Sequence, residues 1–109
     1  MQTYKLVVYR TVMGKEPFTI WLQALRDEKA KAVIGCRLKR IIDGNLGEIR
    51  NVGGGVSELK IDLGPGYRVY FSYASRDKII IFLGGSKGSQ TQDIITSQFY
   101  REDYFRRKK

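Results

Sequence analysis

The sequence contains no histidine and only one cysteine, Cys36, among its 109 residues. These are the side chains that most often bind zinc or act as base and nucleophile in hydrolases. A zinc site or a nucleophile-histidine pair is therefore nearly excluded, and we expect neither a metal nor another cofactor. One cysteine cannot form an internal disulfide. We expect Cys36 to be a small buried hydrophobic residue.

Long apolar segments are also missing. No run approaches the roughly 20 residues that cross a bilayer, and residues 1–5 lack the basic start of a secretory signal. We therefore expect a cytoplasmic protein with no membrane partner. The length predicts a single domain spanning residues 1–109. Its basic end, residues 104–109, is expected to fray.

Acidic residues are scarce relative to basic ones. The chain has 11 Asp and Glu against 20 Lys and Arg, a formal charge of +9. Setting aside Arg106, Arg107, Lys108 and Lys109 removes four of these charges and leaves +5. The excess therefore belongs to the body of the domain and predicts a polyanionic partner such as nucleic acid.

The first part of the sequence predicts one strand and two helices. Residues 3–9 are rich in β-branched and aromatic side chains, as in a strand. Pro17 suits the first turn of a helix, and apolar residues follow it at helical spacing. A second helix is predicted from Asp27, its N-cap, to Asp43, with Gly44 ending it. The buried stripes are predicted to be Phe18, Trp21, Leu22 and Leu25 in the first helix and Ala30, Ile34, Leu38, Ile41 and Ile42 in the second.

Residues 45–55 are rich in glycine and polar side chains. A glycine-rich phosphate loop needs a strand before it and a helix after it, so that its amide groups point at the phosphate. Here the glycines follow a helix and precede a strand. We interpret the segment as a flexible loop.

The next two segments alternate apolar and polar residues, as strands do when one face is buried. Gly64-Pro65-Gly66 separates them and predicts a hairpin turn, with Leu63 opposite Tyr67. This register pairs Ile61 with Val69 and Leu59 with Phe71 on the core face. The opposite face collects the polar residues Glu58, Lys60, Asp62, Arg68, Tyr70 and Ser72.

The last third predicts a strand and a helix. Residues 78–83 are predicted to form a strand, because the continuous apolar run from Ile79 to Leu83 is expected of a central strand covered on both faces. Ser89 and Gln92 have the spacing of a capping box at a helix start. The inward side chains of this final helix are predicted to be Ile94, Ile95, Phe99 and Tyr104.

Three groups of residues, in the predicted order strand, helix, helix, three strands, helix, resemble the RelE/ParE superfamily of toxins. They are Glu58-Leu59-Lys60, then Gly64-Pro65-Gly66-Tyr67-Arg68-Val69-Tyr70, then Leu83 to Gln90 with Asp93-Ile94. Together they are similar to the phage Gp49-like, HigB-related branch, the addiction module killer proteins. The resemblance covers nearly the whole chain, and its motifs are specific only in combination. It implies an α+β fold with a twisted antiparallel sheet and helices packed on one face.

The resemblance also implies a function. Such a protein is the toxin of a type II toxin-antitoxin system, a ribosome-associated, metal-independent endoribonuclease that cuts mRNA and inhibits translation. Its partner is an antitoxin, usually a helix-turn-helix DNA-binding protein. The implied catalytic candidates are Lys60, Arg68, Lys87, Tyr70 and Glu58, and the RNA-binding candidates are Arg37, Lys39, Arg40, Ser89 and Gln90. Leu83-Gly84-Gly85 stands where some relatives have a histidine, so the acid and base remain unassigned.

These residue types suit attack of a 2′-hydroxyl on the adjacent phosphate. Arg68 can hold two phosphate oxygens and stabilise their charge. Lys60 or Lys87 can move a proton only where burial or nearby positive charge lowers a lysine pKa from about 10.4. Tyr70 can transfer a proton or stack on a base, and Glu58 can act as a base or orient Arg68. The alternative is an ordinary solvated sheet face with charge pairs such as Asp62 with Arg68.

Two other functions stay open at this point. The first is a toxin of the same fold that inhibits DNA gyrase, for which we would expect Lys60, Arg68 and Lys87 to be absent. The second is a non-catalytic nucleic-acid-binding regulator, for which the charge of +9 would suffice.

Overall fold

A five-stranded sheet organises the chain in the computed structural model, which describes residues 2–108. The order across the sheet is β1-β5-β4-β3-β2. β1 runs parallel to β5, and the other neighbours are antiparallel. The α+β class is confirmed, with one parallel pair and one strand more than predicted. The strands are β1 (Lys5–Val8), β2 (Ile49–Gly53), β3 (Val56–Ile61), β4 (Tyr67–Ser75) and β5 (Lys78–Ser86).

Three helices accompany the sheet: α1 (Pro17–Ala24), α2 (Glu28–Ile42) and α3 (Gln90–Arg107). A short 3-10 turn (Lys87–Ser89) joins β5 to α3. Both predicted starts are confirmed. α1 begins at Pro17. The Asp27 carboxylate caps α2 by accepting hydrogen bonds from the backbone N–H groups of Lys29 and Ala30, at 3.0 and 3.2 Å.

The helices cover both faces of the sheet, so the expectation that they pack on one face is wrong. α1 and α2 cover the face that carries Leu59, Val69 and Phe71. α3 covers the other face, where Tyr70 and Phe82 are buried. The physical reason lies in β5, whose Ile79, Ile80, Ile81 and Phe82 are buried on alternating sides. The prediction of a central strand covered on both faces is thereby confirmed.

The β3-β4 hairpin has the predicted faces but a different register. Ile61 pairs with Tyr67 and Leu59 with Val69, two residues away from the predicted pairs. Leu63 belongs to the turn, because its carbonyl accepts a hydrogen bond from the Gly66 N–H at 3.0 Å. A shift of two residues leaves every side chain on its own face.

The expected flexible loop at residues 45–55 is wrong. It contains β2, which pairs with β3 through Ile49 and Leu59. Gly53 ends β2, and Gly54 and Gly55 form the turn of this hairpin; all three have positive φ, at 95°, 61° and 81°. The glycines are needed because a side chain on Gly55 would collide with the guanidinium of Arg101 in α3.

The C-terminal segment is more ordered than expected. Residues 104–107 are the last part of α3 and are not frayed; Lys109 lies outside the described residues. The Ser89 hydroxyl accepts no hydrogen bond from a backbone N–H of α3, so the capping box is also wrong. The hydroxyl bonds instead to the Asp93 carboxylate, and Gln92 donates to Thr96.

Four further side chains lie elsewhere than expected. Ile95 and Phe99 are exposed on the outer side of α3, whereas Ile94 and Tyr104 pack on the core as predicted. Ile42 is exposed at the end of α2. Cys36 is exposed rather than buried. None of the helices within residues 2–108 combines the length and apolarity that crossing a membrane requires.

Candidate functional site

A cleft of about 430 Å³ opens on the α3 face of the sheet, where the start of α3 meets β2, β3 and β4. Charged side chains from three strands line it, with Gln90 contributed by the helix. Four of the predicted residues, Glu58, Lys60, Arg68 and Gln90, are brought together here. The complete lining is Glu48, Ile49, Arg50, Glu58, Lys60, Arg68 and Gln90.

The β-sheet register places the floor of the cleft. Lys60 and Arg68 are direct cross-strand partners, and Glu58 stands opposite Tyr70. Because alternate residues of a strand share a face, all four side chains belong to one side of the hairpin. The prediction that Lys60 and Arg68 share a face is confirmed.

Glu58 is the charged centre of the cleft, with only 3% of its surface exposed. Its Oε1 lies 3.3 Å from Nη2 of Arg50, and its Oε2 lies 3.6 Å from Nε of Arg68. The side-chain amide of Gln90 donates a hydrogen bond to Oε2 at 2.8 Å. A buried carboxylate needs partners of this kind to offset its lost hydration. Glu58 therefore couples β2, β4 and α3 at one point.

Arg68 is held on two sides. Its side chain is 8% exposed, and besides the Glu58 contact its Nη1 donates to the Gly66 carbonyl at 2.8 Å. Lys60 is more open, at 40% exposure, and lies 3.7 Å from the Asp62 carboxylate. The pair of Asp62 with Arg68, which belonged to the alternative of a solvated sheet face, does not form: Arg68 pairs with Glu58, and Asp62 with Lys60.

Tyr70 does not line the cleft. It is fully buried beneath α3, so its ring cannot stack on a base, and that predicted role is wrong. Within residues 2–108 its hydroxyl has no hydrogen-bond partner. Burial raises the pKa of the Tyr70 hydroxyl well above its usual value, and the charges of Glu58 and Asp93 raise it further. The neutral phenol is therefore the form present.

Asp93 approaches the same site from α3. Gly85, the cross-strand partner of Arg68, leaves the space that the Asp93 carboxylate occupies. Burial raises the pKa of this carboxyl, whereas the hydrogen bond from the Ser89 hydroxyl acts in the opposite direction. Sequence reasoning did not select Asp93 as a site residue, although it belongs to the last of the motifs that carry the resemblance.

The structure does not bring the remaining candidates into the lining of this cleft. Lys87 is exposed on the 3-10 turn, and its Cβ lies 4.0 Å from the position that a Cβ on Gly66 would occupy. Ser89 is engaged by Asp93. Arg37 and Arg40 line a second cleft, which borders the first at Lys60. Lys39, also a predicted RNA-binding residue, is exposed and lines neither of these clefts, so it is not assigned to a binding surface.

Arg50 is the functional candidate that sequence reasoning missed. Its side chain is 62% exposed and reaches over Glu58 from β2. It was overlooked because residues 45–55 were interpreted as a loop. The available signal was the pair of β-branched residues Ile49 and Val52 before a glycine turn and a second strand. Among residues 2–108, no three Cys, Asp or Glu side chains are grouped so as to hold a metal ion.

The chain matches no family model. It is 44% identical over 77 residues to a protein of Haemophilus influenzae that is described as uncharacterized. The match covers 71% of this chain and 78% of that protein. The two proteins belong to one family. Since the description of the relative gives no activity, function has to be inferred from the cleft.

Proposed function

We propose that the protein is the toxin of a type II toxin-antitoxin pair of the RelE/ParE superfamily, a cytoplasmic endoribonuclease that cuts mRNA at the ribosome. The observation that carries the proposal is the pairing of Lys60 with Arg68 on the floor of the cleft. Arg50 adds a third cation at its edge. A chain with a formal charge of +9 suits a polyanionic substrate of this kind.

Arg68 is assigned to the phosphate. Glu58 and the Gly66 carbonyl hold its guanidinium in place, so little reorganisation is needed when negative charge develops on the phosphate oxygens. A guanidinium can also contact two of those oxygens at once. Glu58 orients Arg68 and does not serve as the base, because Arg50, Arg68 and Gln90 already surround its carboxylate.

Lys60 is assigned to the departing 5′-oxygen. It is the half-exposed cation on the cleft floor and lies directly across from Arg68. In that position its ammonium can stabilise the negative charge that develops on this oxygen as the P–O bond breaks, while solvent water takes up the proton of the attacking 2′-hydroxyl and supplies one to the 5′-oxygen. Lys87, exposed at the rim beside Gly66, provides a further contact for the RNA backbone.

A toxin of this kind needs a partner that keeps it silent. The positive cleft predicts an acidic antitoxin segment, carried by a helix-turn-helix DNA-binding protein. Such a segment would cover Arg68 or move α3, whose Gln90 helps to hold Glu58. In a complex with the protein encoded beside this gene, we expect the access of Arg68 to solvent and substrate to fall. A complex that leaves both the cleft and α3 uncovered would show that inhibition is indirect.

The deciding experiment is incubation of the purified protein with translating ribosomes, followed by mapping of mRNA 5′ ends. New ends within the translated region are expected with the wild-type chain and not with Arg68→Ala. Arg76→Ala is the matched control, because Arg76 is an exposed arginine in the β4-β5 turn, outside the cleft. Intact mRNA together with inhibited DNA gyrase would overturn the proposal in favour of a gyrase toxin. Intact mRNA with nucleic-acid binding alone would identify a regulator.

A further inference from the structure

A second cleft, of about 650 Å³, lies between α2 and the end of β3. Lys60 and Glu48 line both clefts, which are therefore contiguous. The second cleft combines apolar side chains with three cations. Its lining is Ala32, Val33, Cys36, Arg37, Arg40, Gly47, Glu48, Lys60, Ile61 and Asp62.

Arg37 is held at the junction of the two clefts. Its Nη1 donates to the backbone carbonyl of Lys60 at 3.3 Å. Its Nη2 lies 2.5 Å from the position that a Cβ on Gly47 would occupy, and Gly47 has a positive φ of 69°. A side chain at residue 47 would therefore displace the guanidinium. Because Arg37 is already ordered, less conformational entropy is lost when it binds an anion.

We propose that the second cleft binds the single-stranded RNA that adjoins the scissile phosphate. This inference rests on the proposed nuclease function. A strand that leaves the first cleft past Lys60 meets Arg37 and then Arg40, which suit successive phosphates. Ala32, which is exposed, and Val33, which is half-buried, offer an apolar surface to a ribose or base.

The acidic residues of this cleft do not cancel its cations. Asp62 has a side chain that is 76% exposed and points its charge at Lys60, at 3.7 Å. Glu48 is exposed at the boundary between the clefts. Three cations against two carboxylates leave a positive balance. The continuity with the first cleft favours RNA over an acidic peptide as the occupant.

The chain offers a matched control and an internal reporter. Arg40 and Lys39 are neighbouring cations of α2, but only Arg40 lines the second cleft. Replacing either by Ala removes one positive charge from the exposed side of the same helix. Cys36, the single cysteine, is exposed and lines the same cleft. Its alkylation rate therefore reports on occupancy.

The experiment uses the full chain and a short single-stranded RNA with 2′-O-methyl groups throughout, which removes the attacking hydroxyl. Arg40→Ala should raise Kd about tenfold, the effect of one lost charged hydrogen bond. Lys39→Ala should change Kd by less than about twofold. Saturating RNA should slow the alkylation of Cys36 by the neutral reagent iodoacetamide several-fold, as judged by mass spectrometry with and without RNA.

Each alternative result has a defined meaning. Equal effects of Lys39→Ala and Arg40→Ala, or an unprotected Cys36 at saturating RNA, would overturn the inference. Equal protection by polyglutamate at matched charge concentration would assign the cleft to an acidic protein segment instead. Cleavage of mRNA on ribosomes by the same wild-type preparation is measured in parallel. Retained cleavage would then show that the second cleft has failed as an RNA site while the nuclease function stands.

Discussion

The two faces of the β3-β4 hairpin are built from alternate residues of the same two strands but serve different purposes. Towards α1 and α2, Leu59, Ile61 and Val69 are at most 1% exposed, and that face carries no charge. Towards α3, the alternate positions hold Glu58, Lys60 and Arg68. α3 begins at Gln90, so it covers Tyr70 and leaves the charged end open. One face stabilises the fold and the other presents the chemistry.

The largest loss of stability should come from truncating a buried side chain on the apolar face. Phe71 is fully buried in the core beneath α1 and α2. Phe71→Ala should lower the free energy of unfolding by about 3 to 5 kcal/mol, because it removes buried surface and leaves a cavity. Urea unfolding followed by circular dichroism measures this. Tyr73→Ala is the control on the same strand and face, and with 42% exposure it should cost much less.

On the charged face, the largest effect should be on catalysis. Arg68→Ala should reduce the rate of mRNA cleavage about a hundredfold or more, equivalent to roughly 3 kcal/mol of transition-state stabilisation. Arg68→Lys should restore only part of the rate, since a point charge lacks the planar fork of arginine. Lys87→Ala should weaken cleavage less. Growth arrest and mapped mRNA ends in cells expressing each variant provide the measurement.

The burial of Arg68 requires a folding control for these variants. Removing one partner of a buried ion pair commonly destabilises a protein by about 3 to 5 kcal/mol, although Glu58 would keep Arg50 and Gln90. The free energy of unfolding of Arg68→Ala and Arg68→Lys is therefore measured by urea unfolding, and cleavage is assayed at a temperature at which both variants are folded. Full toxicity of folded Arg68→Ala and Lys87→Ala would exclude the phosphate-binding mechanism.

Two adjacent glycines of β5 allow the faces to be compared directly. A Cβ on Gly84 would collide with the ring of Trp21 in α1, whereas one on Gly85 would collide with the Asp93 carboxylate. Gly84→Ala should cost about 1 to 3 kcal/mol of stability, because a packed indole cannot move freely. Gly85→Ala should cost less, because a carboxylate can rotate away, but it should disturb cleavage more. Equal losses of stability and equal cleavage rates in the two variants would show that the two faces do not differ in their contributions to stability and to cleavage.

The faces of the hairpin were predictable from sequence, and its register was not. Period-two alternation assigns Lys60 and Arg68 to one face whichever register the strands adopt. The register depends on where the turn begins, and Leu63 is apolar although it lies in the turn. From the sequence alone, an apolar residue at the end of a strand can therefore be either the last paired residue or the first residue of the turn.

The sequence pattern carries only a weak signal for the β2-β3 hairpin and none for the face of the sheet that α3 covers. The sequence of β2 lacks a regular alternation of apolar and polar residues, and Ile49, Arg50 and Asn51 are all exposed in the structure. A pattern that does not predict the strand does not predict the position of Arg50 either. The amphipathicity of α3 does not say which face of the sheet it covers. Ile95 and Phe99 were assigned inward because apolar residues usually are, yet both are exposed. These features follow from tertiary contacts, which a local pattern does not contain.

The smallest predicted effect concerns the part of the sheet that α3 covers, away from the cleft. Tyr9 donates a hydrogen bond to the Asp103 carboxylate at 2.6 Å, and burial, followed by that carboxylate, raises the pKa of Tyr9 to about 12. Tyr9→Phe should lower the free energy of unfolding by about 1 kcal/mol at neutral pH. Because the folded pKa lies above the unfolded value of about 10, the contribution of the hydroxyl is complete below pH 10 and is lost as pH rises through 12. The difference in urea stability between wild type and Tyr9→Phe should therefore be constant between pH 7 and 9 and smaller at pH 11. The other tyrosines titrate in both proteins, so the difference isolates Tyr9. A difference in urea stability that stays the same at pH 11 would mean that the hydroxyl contributes nothing through Asp103. Ring packing alone would then hold this part of α3 against the sheet.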